Sequence, residues 1–317
     1  MDLLIDTDPA MGTLGRDPED SLAITLALAS PELTVRAITC VQGNVPVRHS
    51  YANAAHLLTL LGRADVPVAA GHEQPLLATG RREELRWLAE SDDHERVIPA
   101  AQRPYAVPRA VEVILRAARQ YDGLSIVALG PLTNIAAALV TDPALSDRLD
   151  EVTIMGGAFE VPGNITPTAE FNFFMDPEAA QIVLDSGLRP VLVGLDVCHQ
   201  AHLTRQQLAG TEFTTPLGRF VRRSCEAWLP TGDDDGPHLY DSLAMAAAIR
   251  PELLTLEPAF VSIETAGRTT AGTSTAWLPG RPSAWSRPDS GHNAFVATAV
   301  DVAAFETMFS ERVLAEF

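Results

Sequence analysis

Leu3-Leu4-Ile5-Asp6-Thr7-Asp8-Pro9 is an apolar run that ends in two acids and a proline. A glycine-containing loop, Ala10 to Arg16, follows it. Asp17-Pro18-Glu19-Asp20 then opens the helical pattern Ser21-Leu22-Ala23-Ile24-Thr25-Leu26-Ala27-Leu28-Ala29. The stretch reads as strand, loop, helix, the unit that builds a layered α/β fold. Alternation along a strand puts Asp6 and Asp8 on one face. Asp17 before Pro18 reads as N-cap then first helical residue, with Glu19 and Asp20 in the first turn. Acids gathered at such a junction repel one another unless a cation lies between them, and oxygen ligands suit Ca²⁺ or Mg²⁺. Glu19 and Asp20 also complement the helix dipole, a purely structural use of the same residues.

Outward from this unit, apolar runs alternate with helical spacing. Strands are expected at Leu3–Thr7, Thr34–Val41, Pro67–Ala70, Leu124–Leu129, Glu151–Met155, Pro190–Leu195 and Phe260–Thr265. Helices are expected at Ser50–Leu61, Pro108–Gln120, Leu132–Leu139 and Asp176–Asp185. Nearly continuous apolar strands are those buried on both faces. The expectation is one α/β domain over residues 1–317, with an open, mostly parallel central sheet flanked by helices. Loops near 79–102, 231–237 and 278–292 are expected to be mobile. Ligands of such sheets bind beyond the carboxyl ends of the strands. Asp8, Gln42-Gly43-Asn44, Gly130 to Asn134, Gly156-Gly157 and Asp196 all fall there. Asp196 is expected to serve as a structural hydrogen-bond acceptor on its strand.

Composition narrows the chemistry. The 317 residues are 46% hydrophobic, enough for a large core. No apolar run approaches the length of a membrane span. The chain starts directly in an acid-bearing strand, unlike a signal peptide. Cys40, Cys198 and Cys225 are far apart and form no Cys-x-x-Cys, which fits a reduced, cytoplasmic setting. The formal net charge of −18 disfavours nucleic-acid binding. All 23 basic residues are arginine. Without lysine there is no Walker A lysine and no Schiff-base anchor. Acids and amides with little basic charge suit a polyhydroxyl ligand and a hard cation better than a phosphate.

These residues resemble the inosine-uridine nucleoside hydrolases. Asp6-Thr7-Asp8-Pro9 with Glu19-Asp20 is similar to their opening motif. Gln42-Gly43-Asn44, Gly130-Pro131-Leu132-Thr133-Asn134 and Met155-Gly156-Gly157 follow in the family's order. So do Ala169-Glu170-Phe171-Asn172, Asp176-Pro177-Glu178-Ala179-Ala180, Val193-Gly194-Leu195-Asp196 and Tyr240-Asp241-Ser242-Leu243-Ala244, with Ala297-Thr298-Ala299-Val300-Asp301 near the end. The resemblance implies Ca²⁺-dependent hydrolysis of a ribonucleoside N-glycosidic bond by a homodimer or homotetramer. It assigns the metal to Asp8, Asp20, Asp241 and the Leu129 carbonyl, and makes Asp8 the base that deprotonates water. Glu19, Asn44, Met155, Asn164, Glu170 and Asn172 fall at ribose-contacting positions.

The chain departs from the family pattern in three ways. It carries an insertion between Pro9 and Glu19. Glu19 replaces an aspartate, and Tyr240 stands where many members have a histidine that protonates the leaving base. Tyr240, His238 and His94 are candidates for that acid. Trp87 and Trp228 are candidates to sandwich the base, and Asp233-Asp234-Asp235 reads as a solvated run. Two other classes compete. A haloacid-dehalogenase-type phosphohydrolase shares Asp-x-Asp, but that class commonly uses a lysine. A non-catalytic, Ca²⁺-dependent nucleoside or sugar binder would keep the metal without the acid.

Overall fold

A computed structural model describes residues 1–77, 95–98, 109–228, 236–278, 280 and 291–317. Nine strands form one sheet: β1 Asp2–Thr7, β2 Thr34–Cys40, β3 Val68–Ala70, β4 Leu124–Ala128, β5 Leu149–Met155, β6 Val191–Val193, β7 Leu254–Ile263, β8 Ser274–Trp277 and β9 Ala294–Val300. Their order is β3-β2-β1-β4-β5-β6-β9-β7-β8. Neighbours from β3 through β9 pair in parallel, while β7 pairs antiparallel with β9 and β8. The expected α/β architecture is present.

Helices cover both faces. They are α1 Glu19–Leu28, α2 Val47–Leu60, α3 Arg109–Gln120, α4 Thr133–Thr141, α5 Phe171–Met175, α6 Pro177–Asp185, α7 Leu195–Cys198, α8 Arg205–Gly210, α9 Pro216–Trp228, α10 Tyr240–Ile249 and α11 Val302–Arg312. The alternation of β1 divides its side chains between two cores. Leu3 and Ile5 pack with Leu22, Leu57, Leu243 and Phe305. Leu4 faces the other layer, with Ile114, Ile135 and Val183. Helices α1 and α10 lie against each other, and both are buried on nearly every side. That explains their all-round apolar composition.

The chain leaves β1 toward β2 and β3, then returns to place β4 on the other side of β1. This reversal opens a crevice at the carboxyl ends of β1 and β4, the place where open α/β sheets bind ligands.

Four expectations need correction. β7 begins earlier than expected, and β8 and β9 were not foreseen. The last two are short or alanine-rich: β8 pairs with β7, while β9 joins β6 in parallel and β7 antiparallel. Helix α1 starts at Glu19, with Pro18 as N-cap. Asp17 still receives the Glu19 N–H at 3.0 Å, so it caps from one residue further back. Asp196 lies on the short α7 rather than on a strand, and accepts from the backbone N–H groups of Phe159 and Glu160. The insertion after Pro9 is stitched down. Thr13 bridges Arg96, Leu14 N–H bonds to the Glu95 carbonyl, and Asn53 donates to the Pro9 carbonyl at 2.8 Å. Most of the three loops, with Trp87, His94 and Asp233 to Asp235, lies outside the described residues. Among the described residues no helix is long and apolar enough to cross a membrane.

Candidate active site

Asp8 follows β1 at the crevice and is fully buried. Backbone crowds it from two sides. A Cβ on Gly43 would lie 1.9 Å from Asp8 Oδ2, and one on Gly130 would lie 2.5 Å from Oδ1. Only glycine permits loops after β2 and β4 to come this close. Asn44 N–H donates to Asp8 Oδ2. Asp8 Oδ1 has no hydrogen-bond partner among the described residues, although it is buried. An orphaned buried carboxylate oxygen is costly unless something else meets it.

Asp20 lies beside Asp8. Its Oδ1 accepts from the Thr7 hydroxyl and, at 3.0 Å, from Asp8 N–H, while Asn44 Nδ2 approaches Oδ2 at 3.4 Å. Burial raises Asp20 to about 6 against those hydrogen bonds. Burial raises Asp8 too, and the charges of Asp20, Asp17 and Asp6 raise it further. Asp241, at the head of α10, is raised by burial and by the Asp20, Glu19, Asp17 and Asp8 carboxylates. Three chain segments thus bring their acids within electrostatic reach in a low-dielectric crevice. The described residues do not form a ready-made metal cluster of three acids, histidines or cysteines. Several of these oxygens are turned toward N–H and O–H donors.

Glu19 turns toward the start of α10. Its Oε2 accepts from the backbone N–H groups of Asp241 (2.5 Å) and Ser242 (2.9 Å), and its Oε1 from the Ser242 hydroxyl (2.6 Å). The longer glutamate reaches across from α1 to cap α10. Glu170 is likewise spent. It accepts from Asn172, Gly157 and Phe173 N–H, so it caps α5 and ties that helix to the loop after β5. Asn164 is exposed, and its Oδ1 accepts from Phe171 N–H at 2.9 Å.

Asn172 and Met155 are brought together. Asn172 Nδ2 donates to the carbonyls of Leu129 (2.8 Å) and Met155 (3.2 Å), and lies 3.4 Å from Met155 Sδ. Two carbonyl acceptors on one side settle which end of the amide is nitrogen. The Leu129 carbonyl keeps a second lone pair. Trp228 ends α9 and is 37% exposed.

Asn134 is a hub the motif reading left without a role. Its Nδ2 donates to Asp6 Oδ1 (2.8 Å) and the Cys40 carbonyl (3.1 Å), and its Oδ1 accepts from His72 N–H (3.0 Å). Asp6, raised by burial to about 7, is also met by the Thr39 hydroxyl. Tyr240 is the first residue of α10. Its hydroxyl is pushed up by burial and by the Asp17, Glu19 and Glu170 carboxylates, so it stays neutral. His238 packs 5.3 Å from Tyr240, ring centre to ring centre, in company with His199 and His202. His199 and His202 lie three residues apart just after α7, a spacing visible in the sequence.

Comparisons with known proteins give the family. The chain is 35% identical to the pyrimidine-specific ribonucleoside hydrolase RihA of Shigella boydii, over 98% of this chain and 97% of that one. Its fold matches a purine-preferring ribonucleoside hydrolase from Gardnerella vaginalis with a TM-score of 0.82 and 29% identity, covering 100% of this chain and 99% of the other. A plant nucleoside hydrolase, PpNRh1, matches with a TM-score of 0.80 and 29% identity over 99% of each chain. The family model for inosine-uridine preferring nucleoside hydrolase matches residues 3–307. The chain belongs to that family, whose members are enzymes that hydrolyse the N-glycosyl bond of nucleosides.

Proposed function

We propose that this protein hydrolyses the N-glycosidic bond of a ribonucleoside in a Ca²⁺-dependent reaction, with Asp8 as the base that takes the proton of the attacking water. One observation carries the reading. Asp8 Oδ1 is buried, lacks a hydrogen-bond partner among the described residues and stands beside Asp20 at the crevice of the sheet reversal. The donor set fits a hard cation, since the groups at hand are carboxylate and carbonyl oxygens. Asp8, Asp20, Asp241 and the Leu129 carbonyl would hold it. When bound, Ca²⁺ would lower the pKa of water and neutralise acids that otherwise repel one another.

The chain's own residues do the rest. Asp8 is held by Asn44 N–H on one oxygen, which leaves the other to receive a proton. Loss of the base builds positive charge on the sugar, and a crevice of buried acids favours that charge. The fixed Asn172 amide directs its oxygen away from the two carbonyls, where it can accept from a ribose hydroxyl. Asn44 and Met155 flank the same space. Glu19, Glu170 and Asn164 act as caps that set the positions of Asp241, Asn172 and Phe171.

The relatives' names cite pyrimidine and purine ribonucleosides respectively, so both belong among the substrates tested. Turnover of uridine, inosine and an activated aryl riboside, measured with Ca²⁺ and after chelation, tests the reading. Asp8→Asn should cut kcat by roughly 10²–10⁴-fold, the usual worth of a positioned base. A variant that keeps full rate places the base elsewhere. Tight nucleoside binding without turnover of any of the three substrates would favour the binder.

A further inference from the structure

His199 caps the C-terminal end of α7, directly after β6. His202 and His238 face each other in an antiparallel bridge, flanked by Leu203 N–H to the Pro237 carbonyl and Leu239 N–H to the Ala201 carbonyl, each 2.9 Å. This short ladder packs three imidazoles together. Ring centres are 4.3 Å apart for His202 and His238, and 5.1 Å apart for His199 and His238. Tyr240 borders the set, 5.3 Å from His238 and 6.2 Å from His199. All four rings are half-buried, so the set meets solvent on one side. On the other side is α10, whose next residue, Asp241, joins the acid crevice.

Resting on the hydrolase reading above, we propose that His238 donates the proton to the departing base and that His199 and His202, packed against its ring, act through it as positioning residues. The step balances. The C1′–N bond breaks, its electron pair passes to the base, and a base nitrogen takes the proton from the His238 imidazolium. The water oxygen bonds to C1′, its proton goes to Asp8 and from there to solvent, and the histidine set is reloaded from bulk water.

Burial lowers His199, Asp196 opposes that shift, and the charge of His202 adds to it. Tyr240 borders the set as a wall.

The test compares a nucleoside with an activated aryl riboside, whose leaving group needs little protonation. His238→Gln should lower kcat/KM about 100-fold on uridine or inosine, and far less on the aryl riboside. Imidazole added to His238→Ala should restore part of the nucleoside rate. His199→Gln and His202→Gln should lower the nucleoside rate several-fold and largely spare the aryl riboside rate, since His238 then loses a ring packed against it. Melting temperatures of the variants, with the aryl riboside rate, report folding. If the aryl riboside is cleaved and all three variants leave the nucleoside-to-aryl ratio unchanged, the histidine assignment is overturned alone. If the wild-type protein cleaves neither substrate, the hydrolase reading falls and takes the assignment with it.

Discussion

The carboxylate of Glu19 accepts the backbone N–H of Asp241 across 222 positions of sequence. It couples the first turn of α1 to the first turn of α10, where two acids of the crevice, Asp20 and Asp241, are carried. Truncation to alanine leaves buried donors at Asp241 N and at Ser242 N and Oγ. Each orphaned donor costs about 1–3 kcal/mol, so Glu19→Ala should destabilise the fold on the order of 3 kcal/mol, with Glu19→Gln milder. Urea unfolding measures the order. Equal stabilities for alanine, glutamine and wild type would show that the cap contributes nothing.

Removing the divalent cation should abolish nucleoside turnover, and adding Ca²⁺ back should restore it. The cation binds the folded state, so it should also raise thermal stability. At a hundredfold excess over its dissociation constant the gain is about 2.7 kcal/mol. Thermal unfolding with chelator or with excess Ca²⁺ reads this without any substrate. An unchanged melting temperature would argue against a cation at these acids.

Gly43→Ala places a methyl group 1.9 Å from Asp8 Oδ2 and 2.9 Å from Pro131 Cδ. Neither neighbour can give way freely, because Asp8 is buried and Pro131 is a ring. We expect Asp8 to be displaced, with a loss of activity of at least 10²-fold, since about 1 Å of misplacement can cost that much. Ca²⁺ affinity should fall with it. Wild-type kinetics in Gly43→Ala would mean that Asp8 does not need this position.

Glu170 provides a pH signature. Burial raises it from 4.5 to about 7 despite four backbone donors. A carboxylate with a raised folded pKa binds more protons folded than unfolded. Its contribution is therefore present in full at acid pH and is lost as pH climbs from about 4.5 through about 7. Asp17, raised to about 7 by burial, acts in the same direction. Metal-free protein should lose stability across this window, and Glu170→Gln should flatten the slope while lowering stability throughout, because its amide cannot accept on both ends. Denaturant midpoints from pH 4.5 to 8 decide it; a slope unaffected by the substitution would remove Glu170 as the cause.

The parallel sheet, the helices on both its faces and the crevice at its strand ends were legible in the chain, because they follow from local and repeating patterns. Leu3-Leu4-Ile5 alternates into two cores, and Asp8 follows directly after it. Gly43 and Gly130 stand where loops must crowd that acid. Partner choice among side chains was not legible. Glu19, Glu170 and Asn172 look alike in sequence as polar residues near strand ends. The first two spend their oxygens on helix N-termini, and only the third keeps an oxygen directed away from its own hydrogen bonds. Helix starts leave unpaired N–H groups that a buried acid will meet first, but which helix start lies nearest depends on packing between segments hundreds of residues apart. The same holds for His199, His202 and His238. Their types are visible in the sequence, while a bridge between residues 202 and 238 is a property of the folded chain alone.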